Sequence, residues 1–249
     1  MHPPEIRARA RRLYLAGATV AEAARAVGVS YPTVRHWCKI QPEPRQQGTA
    51  LRCFRCRPDV DHPTDPAQYA YLLGLYLGDG HLVTTARVPV LRISCADAWP
   101  GLIGACEDAM KNVLAASVQR VQSQGCVSVQ SYGKHWPCLL PQHGPGKKHE
   151  HPIVLADWQR GIVAAQAGDL LRGLFHSDGC RFSNRVRVRG KEYVYPRYMF
   201  TNRSTDIMEL CQWALDLLGI PWKMNRGNCL SVARREAVAA LDRHVGPKS

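Results

Sequence analysis

Two aspartates carry the chemistry this chain could do. Asp79 closes the stretch Leu72-Leu73-Gly74-Leu75-Tyr76-Leu77-Gly78-Asp79-Gly80. Asp178 closes Leu171-Arg172-Gly173-Leu174-Phe175-His176-Ser177-Asp178-Gly179. Aligned without gaps, the stretches share Leu, Gly, Leu, Asp and Gly at a constant offset of 99 residues. A repeat at that spacing reads as one fold unit used twice. Each aspartate ends a helix-prone run, where the helix dipole disfavours negative charge. Two such helices side by side would bring the carboxylates together, and like charges that close need something positive between them. Hard cations such as Mg²⁺ bind carboxylate oxygens. The pattern therefore predicts a two-carboxylate metal site at the foot of a two-helix seam.

The elements around the aspartates follow from the same residues. Gly74 and Gly78 are four apart and share a helix face, and Gly173 and Ser177 repeat that spacing. A face without bulk lets two backbones pack almost in contact. Asp65 as N-cap, Pro66 in the first turn and Gln68 three residues on open the first helix. Gly80 and Gly179 are expected to stop the helices in the left-handed conformation. Strands are expected at 88–94, 118–121 and 126–130, with a helix over 97–115 and a closing helix over 153–167. The second half repeats the order, with strands at 185–189, 193–201, 221–225 and 229–232 and helices at 206–218 and 234–244.

At these residues the chain resembles the paired LAGLIDADG motifs of homing endonucleases (the DOD type) in their single-chain form. The resemblance implies an α+β fold of two pseudo-symmetric αββαββα half-domains that form saddle-shaped sheets over double-stranded DNA. It also implies hydrolysis of phosphodiesters across the minor groove, with Mg²⁺ or Mn²⁺ held at Asp79 and Asp178 beside Gly78 and Ser177. Family members often add a basic residue near each site, usually a lysine on a late strand. Lys134 and Lys223 are the matching catalytic candidates, with Arg226 as an alternative to Lys223. Leu77 and His176 stand where the family's written motif has a further Asp that carries no metal.

The composition agrees with a nucleic-acid partner. The 249 residues carry 33 Lys and Arg against 20 acids, for a net charge of +13. No apolar run reaches membrane length and no signal peptide is evident, so no membrane partner and a cytoplasmic location are expected. Ten scattered cysteines do not make a disulfide scaffold in a chain this long.

Residues 1–40 read as a small all-α helix-turn-helix domain. Thr19 and Glu22 form a capping box, Gly28-Val29-Ser30 makes the turn, and a third helix over 31–39 carries Thr33, Arg35, His36 and Lys39 toward DNA. Residues 41–65 read as a linker holding Cys53-Phe54-Arg55-Cys56, half of a zinc site if Zn²⁺ binds there, or two ordinary thiols. The first half-domain is assigned to 66–151, and the linking helix with the second half to 152–249.

Two stretches look like phosphate contacts. Arg185, Arg187 and Arg189 alternate with Val186 and Val188, so a strand there puts arginine on one face and valine on the other. Arg181, Lys191 and Arg197 add charge against a single acid, Glu192. The expectation is a valine core side and an arginine anion side. The loop 141–152 offers Lys147, Lys148 and His149, and its His143, His149 and His151 could alternatively gather a metal.

Three activities remain open on sequence alone. They are a sequence-specific endonuclease, a transcription regulator keeping the fold without cleavage, and an endonuclease module of an intein, for which no splicing blocks are seen. A maturase acting on RNA has the same charge. Two motifs in one chain imply that a monomer with an internal two-fold suffices.

Overall fold

The computed structural model describes residues 4–35, 37, 38, 63, 65–114, 117–144 and 146–248. Cys53, Cys56, His36 and Lys39 lie outside these residues. The chain divides into two compact units, Met1–Arg52 and Cys53–Ser249, with the division inside the expected linker.

In the first unit, α1 (Pro4–Leu15), α2 (Val20–Val27) and α3 (Tyr31–Arg35) close around Ala10, Val20, Ala23, Ala24, Val29, Val34 and Trp37. The predicted capping box is present. Glu22 N–H donates to Thr19 Oγ1 at 3.3 Å, and Thr19 N–H donates to Glu22 Oε2 at 2.7 Å. Gly28 ends α2 in the left-handed conformation, at φ 68°. On α3, Arg35 is exposed, and the half-buried Thr33 shares a 2.8 Å hydrogen bond with the Ser30 hydroxyl.

The second unit is α+β and contains the same plan twice. Its first half runs α4 (Pro66–Asp79), β1 (Gly80–Val83), β2 (Val90–Ala96), α5 (Pro100–Leu114), β3 (Val118–Ser123), β4 (Cys126–Tyr132) and the short α6 (Trp136–Leu139). The connecting helix α7 (Asp157–Ala165) leads to the second half. That half runs α8 (Ala167–Asp178), β5 (Gly179–Val188), β6 (Lys191–Thr201), α9 (Thr205–Leu217), β7 (Lys223–Arg226), β8 (Cys229–Val232) and α10 (Arg235–Val245). The sheets are antiparallel with matching orders, β1-β2-β4-β3 and β5-β6-β8-β7. One apolar core, including Leu73, Leu75, Leu91, Ile93, Leu170, Leu174, Phe200 and Leu230, spans both halves.

The expected start of α4 is realised, with Gln68 N–H donating to Asp65 Oδ1 at 3.0 Å and Pro66 in the first turn. Its expected stop is not. Gly80 (φ −90°, ψ 153°) and Gly179 (φ −101°, ψ 161°) are extended and begin strands directly. Glycine is required there for closeness instead of for a left-handed turn. A Cβ on Gly80 would sit 2.8 Å from the Tyr76 carbonyl oxygen, and one on Gly179 would sit 2.6 Å from the Phe175 Cα. Each helix thus turns into its strand without a loop, which fixes each aspartate at the junction.

The connecting segment is pinned to both halves. Gln159 is buried and donates to Tyr69 Oη at 2.6 Å and to Gln142 Oε1 at 3.1 Å. Ile153 N–H donates to Asp206 Oδ2 at 2.6 Å.

The β5–β6 pair differs most from expectation. Its register runs through ten pairs, from Gly179↔Phe200 to Val188↔Lys191, but β8 backs β6 only from Tyr198 to Thr201. The remaining seven pairs form a two-stranded ribbon. Residues paired directly across an antiparallel ladder share a face. Arg181, Arg185 and Arg187 therefore lie on the face of Tyr198 and Phe200, which pack into the core. Val186 lies on the opposite, open face with Tyr193, Tyr195 and Arg197. The expected assignment of valine to the core side is thus reversed. Beyond the supporting strand no core exists for it, and Val186 stays 37% exposed.

A carboxylate pair and a cleft at the seam of the halves

The seam places the aspartates. α4 and α8 pack through their glycines, with room for backbone and nothing else. A Cβ at Gly74 would fall 2.5 Å from the Leu170 carbonyl oxygen and 2.8 Å from Gly173 Cα. A Cβ at Gly173 would collide with the Tyr71 carbonyl and lie 2.8 Å from Gly74 Cα. Farther down, a side chain on Gly78 would meet Ser177 Oγ and come 3.0 Å from Asp178 Oδ2. Ser177 turns its hydroxyl back to the Gly173 and Leu174 carbonyls, each at 3.0 Å. The four small residues predicted for the seam therefore meet in pairs, and the Asp178 carboxylate ends beside Gly78, one residue from Asp79.

The electrostatics follow from that approach. Asp79 is exposed at the end of α4, and Asp178 is half-buried at the end of α8. Burial raises the Asp79 carboxyl above the usual range and the neighbouring Asp178 charge adds to this, while Lys148 and Lys248 oppose it. Burial likewise raises Asp178. Asn202, whose Nδ2 donates to Asp178 Oδ2 at 2.7 Å, opposes that rise most, followed by the same two lysines.

The basic residues at the site are not the ones expected. Lys134 is exposed in the turn after β4, and Lys223 is exposed on the edge strand β7. Neither makes a described contact with an aspartate. Lys148 and Lys248 take that place. Lys148 Nζ donates to the carbonyls of Gly78, at 3.1 Å, and Gly80. Lys248 Nζ donates to the Gly179 carbonyl at 2.6 Å. Lys148 also stands over the Tyr76 ring, 5.0 Å from its centroid. Burial lowers Lys148 to about 8 against the pull of Asp178 and Asp79, and burial also lowers Lys248. Sequence reasoning placed Lys148 only among phosphate contacts and missed Lys248 and Asn202. A signal was present: the lysines are 100 residues apart, one off the repeat, with Lys248 directly after Gly246-Pro247 and Lys148 three residues after Gly144-Pro145.

A cleft of about 570 Å³ opens at this point. Gly78, Lys148, Asp178 and Asn202 line it, with His81, His143 and His151 along one wall. His143 Nδ1 shares a 3.2 Å hydrogen bond with Tyr76 Oη, and its ring packs edge-on to His81 with centroids 5.8 Å apart. Among the described residues, no three His, Cys, Asp or Glu side chains gather in a form that could hold a metal. The histidine cluster at 143, 149 and 151 is therefore not a ligand set. Lys147 and His149 are exposed at the mouth of the cleft.

His176, two residues before Asp178, is buried in the seam. Its Nδ1 shares a 3.0 Å hydrogen bond with Tyr71 Oη, and burial lowers it to about 4. Arg181 is tied to α10 by two bonds to Asp242, at 2.7 and 2.9 Å. Arg185 pairs with Glu192 at 3.3 Å on the exposed ribbon, and Arg187 and Arg189 stand exposed beside them.

The class defined by fold and site is an α+β protein of two equivalent halves with a carboxylate pair at their seam. Compared with known proteins, residues 2–40 match the profile of the homeodomain-like domain family. No curated protein sequence matches the chain. Similar solved structures include mesophilic variants of the homing endonuclease I-DmoI, at 15% identity over 73% of this chain and 92% of that one, with a TM-score of 0.44. The N-terminal LAGLIDADG domain of DUF199/WhiA is similar at 13% identity over 73% and 83%, with a TM-score of 0.45. The homing endonuclease I-WcaI, bound to its DNA recognition sequence, is similar at 10% identity over 75% and 84%, with a TM-score of 0.47.

Proposed function

We propose that this protein is a sequence-specific DNA endonuclease that hydrolyses phosphodiesters at the Asp79–Asp178 pair, beside the cleft, with a divalent metal. One observation carries the reading. The two motif helices deliver two carboxylates to one point, each with its carboxyl raised, and a lysine from each half reaches the same place. The donors suit a hard cation, because Asp79, Asp178 and the Gly78 carbonyl are all oxygen ligands. Burial raises both carboxyls, so a cation bound between them would favour their ionised form. Asp79 and Asp178 would hold Mg²⁺ or Mn²⁺, with the Gly78 and Ser177 backbone beside them. Such a metal lowers the pKa of water and stabilises a leaving oxygen.

The protein's own groups do the rest. Lys148 and Lys248 hold the helix-to-strand junctions by their glycine carbonyls and keep two ammonium charges where a phosphate would add negative charge. Asn202 fixes the Asp178 carboxylate by its Oδ2. Lys147 and His149 at the mouth and Thr33 and Arg35 on α3 supply phosphate contacts. One chain holds both halves of the site, so a monomer suffices.

The test is incubation of a randomised duplex library with the protein and Mg²⁺, beside Asp79→Asn and Asp178→Asn. Metal-dependent breaks at one discrete sequence, absent with either variant, support the endonuclease. Specific binding without breaks by the unaltered protein supports a second reading, a non-cleaving regulator. The observation favouring that reading is the capped helical unit at 4–35, which matches the homeodomain-like profile.

A further inference from the structure

We infer that Lys148 is a built-in counter-ion, which a divalent metal must displace from the Gly78 carbonyl before it can bind the carboxylate pair. The inference rests on the metal-site reading above, because it takes that carbonyl as one of the metal's ligands.

The two lysines at the site are not equivalent. Lys148 donating to the Gly80 carbonyl and Lys248 donating to that of Gly179 are the same contact in the two halves. Lys148 makes a second bond, to the Gly78 carbonyl at 3.1 Å. Lys248 has no counterpart to it: among the described residues it does not reach the Ser177 carbonyl. The internal repeat therefore accounts for one bond of Lys148 and leaves the other over.

That other bond falls on an oxygen the site needs. α4 ends at Asp79, so the Gly78 carbonyl lacks an N–H of its own helix and is available to a cation. A carbonyl has two lone pairs, but an ammonium and a divalent ion on one oxygen repel at close range. The ammonium already serves the pair as a cation would, since the charges of Asp178 and Asp79 favour its protonated form.

Lys148 is also held in a way that lets it go. Among the described residues, neither carboxylate forms an ion pair with it. Its partners are two neutral carbonyls and the Tyr76 ring, 5.0 Å away at the centroid. Burial lowers it to about 8, so its charge is poorly solvated where it stands. The flexible stem of a lysine lets the ammonium pivot about a retained contact. Kept on Gly80, Lys148 gives up Gly78 and turns into the cleft that it lines with Lys147 and Arg203.

The test is Mn²⁺ binding to the full chain without DNA, read from the electron paramagnetic resonance signal of the free ion. The forms compared are the unaltered protein, Lys148→Met, Lys148→Arg, Lys248→Met and Asp178→Asn. Lys148→Met should bind Mn²⁺ about tenfold more tightly than the parent, the scale of one charge-assisted hydrogen bond that no longer has to be given up. Lys248→Met removes an equal charge but leaves Lys148 on Gly78, and should tighten binding by about threefold at most. Lys148→Arg keeps a donor cation and should bind no more tightly than the parent. Asp178→Asn should lose the ion. Equal tightening by the two Met variants, tightening by Lys148→Arg as well, or none from Lys148→Met overturns this inference and leaves the metal site standing. No Mn²⁺ bound by any form, or binding that Asp178→Asn leaves unchanged, overturns both.

Discussion

Lys148 and Lys248 make the same contact in the two halves: one donates to the Gly80 carbonyl, the other to that of Gly179. These glycines follow the two aspartates, so the lysines extend the internal repeat well beyond the motif helices. Each anchors an aspartate's junction and brings a cation to both carboxylates. Replacing either by Met should lower single-turnover cleavage by about 100-fold or more, the usual scale for a lost charge-stabilising or proton-transferring group. DNA affinity should stay within about threefold, because one phosphate contact is a small part of such binding. Lys134→Met and Lys223→Met should leave the chemical step intact. Equal effects from all four would remove Lys148 and Lys248 from the site.

Metal binding can be read without cleavage. Ca²⁺ or Mn²⁺ should raise the melting temperature of the unaltered protein, because a ligand that binds only the folded state stabilises it by mass action. Asp79→Asn and Asp178→Asn should each abolish the rise. Both should also melt slightly higher than the parent without metal, since each relieves a strained charge. A metal-induced rise that survives both substitutions would place the cation elsewhere.

The seam glycines and a helix glycine elsewhere should respond with opposite signs. Gly74→Ala must push two backbones apart and should cost about 2–3 kcal/mol, in the range of overpacked cores. Gly104 lies within α5 and a Cβ there meets nothing within 4 Å. Gly104→Ala should stabilise by about 0.5–1 kcal/mol through the helix propensity of alanine. Denaturant unfolding of the two variants decides the matter.

His176 ties stability to pH. Its pKa is about 4 in the folded chain, below the ordinary value of 6.5. The unfolded chain therefore binds more protons between these values, and stability should fall as pH drops from 6.5 toward 4. The full shift discounted for partial screening amounts to about 2 kcal/mol. His176→Gln should flatten this part of the profile while keeping a polar partner for Tyr71. An unchanged profile would show that His176 is not the titrating group. Asp79 and Asp178 act with the opposite sign, because their raised carboxyls make acidification relieve repulsion.

The Thr19 cap offers a check on the first unit. Thr19→Ala removes the acceptor for Glu22 N–H and should cost about 1 kcal/mol. The loss should appear in the helical signal of residues 4–35. If the first unit contacts DNA, Arg35→Ala should weaken binding similarly on all sequences and lower the salt slope by about one.

The motif helices, their N-cap and the order of elements were legible because local chemistry decides them. Asp65-Pro66 starts a helix whatever lies around it, and paired small residues four apart have few uses except close packing. The faces of β5 were not legible in the same way. Alternation shows that Arg185 and Val186 point opposite ways, but the core side depends on the register that aligns Arg181 with Tyr198. The lysines failed for a related reason. A strand position seemed natural for them, whereas Lys148 lies in a 3-10 turn and Lys248 follows the last helix. Loops carry little periodicity, so only the 100-residue echo marked the pair. Asn202 carried no mark at all, since its role depends on where β6 delivers it.

The glycine seam also limits how a duplicated gene can diverge. Over the sheets the two copies can differ, and the β5–β6 pair running seven residue pairs past β8 is one such difference. At Gly74 and Gly173 each copy is the wall of the other. A larger residue on either side obstructs both, and no compensating reduction is available opposite, because glycine has nothing left to remove. The two halves can therefore differ in what they touch, but at this crossing both must keep glycine.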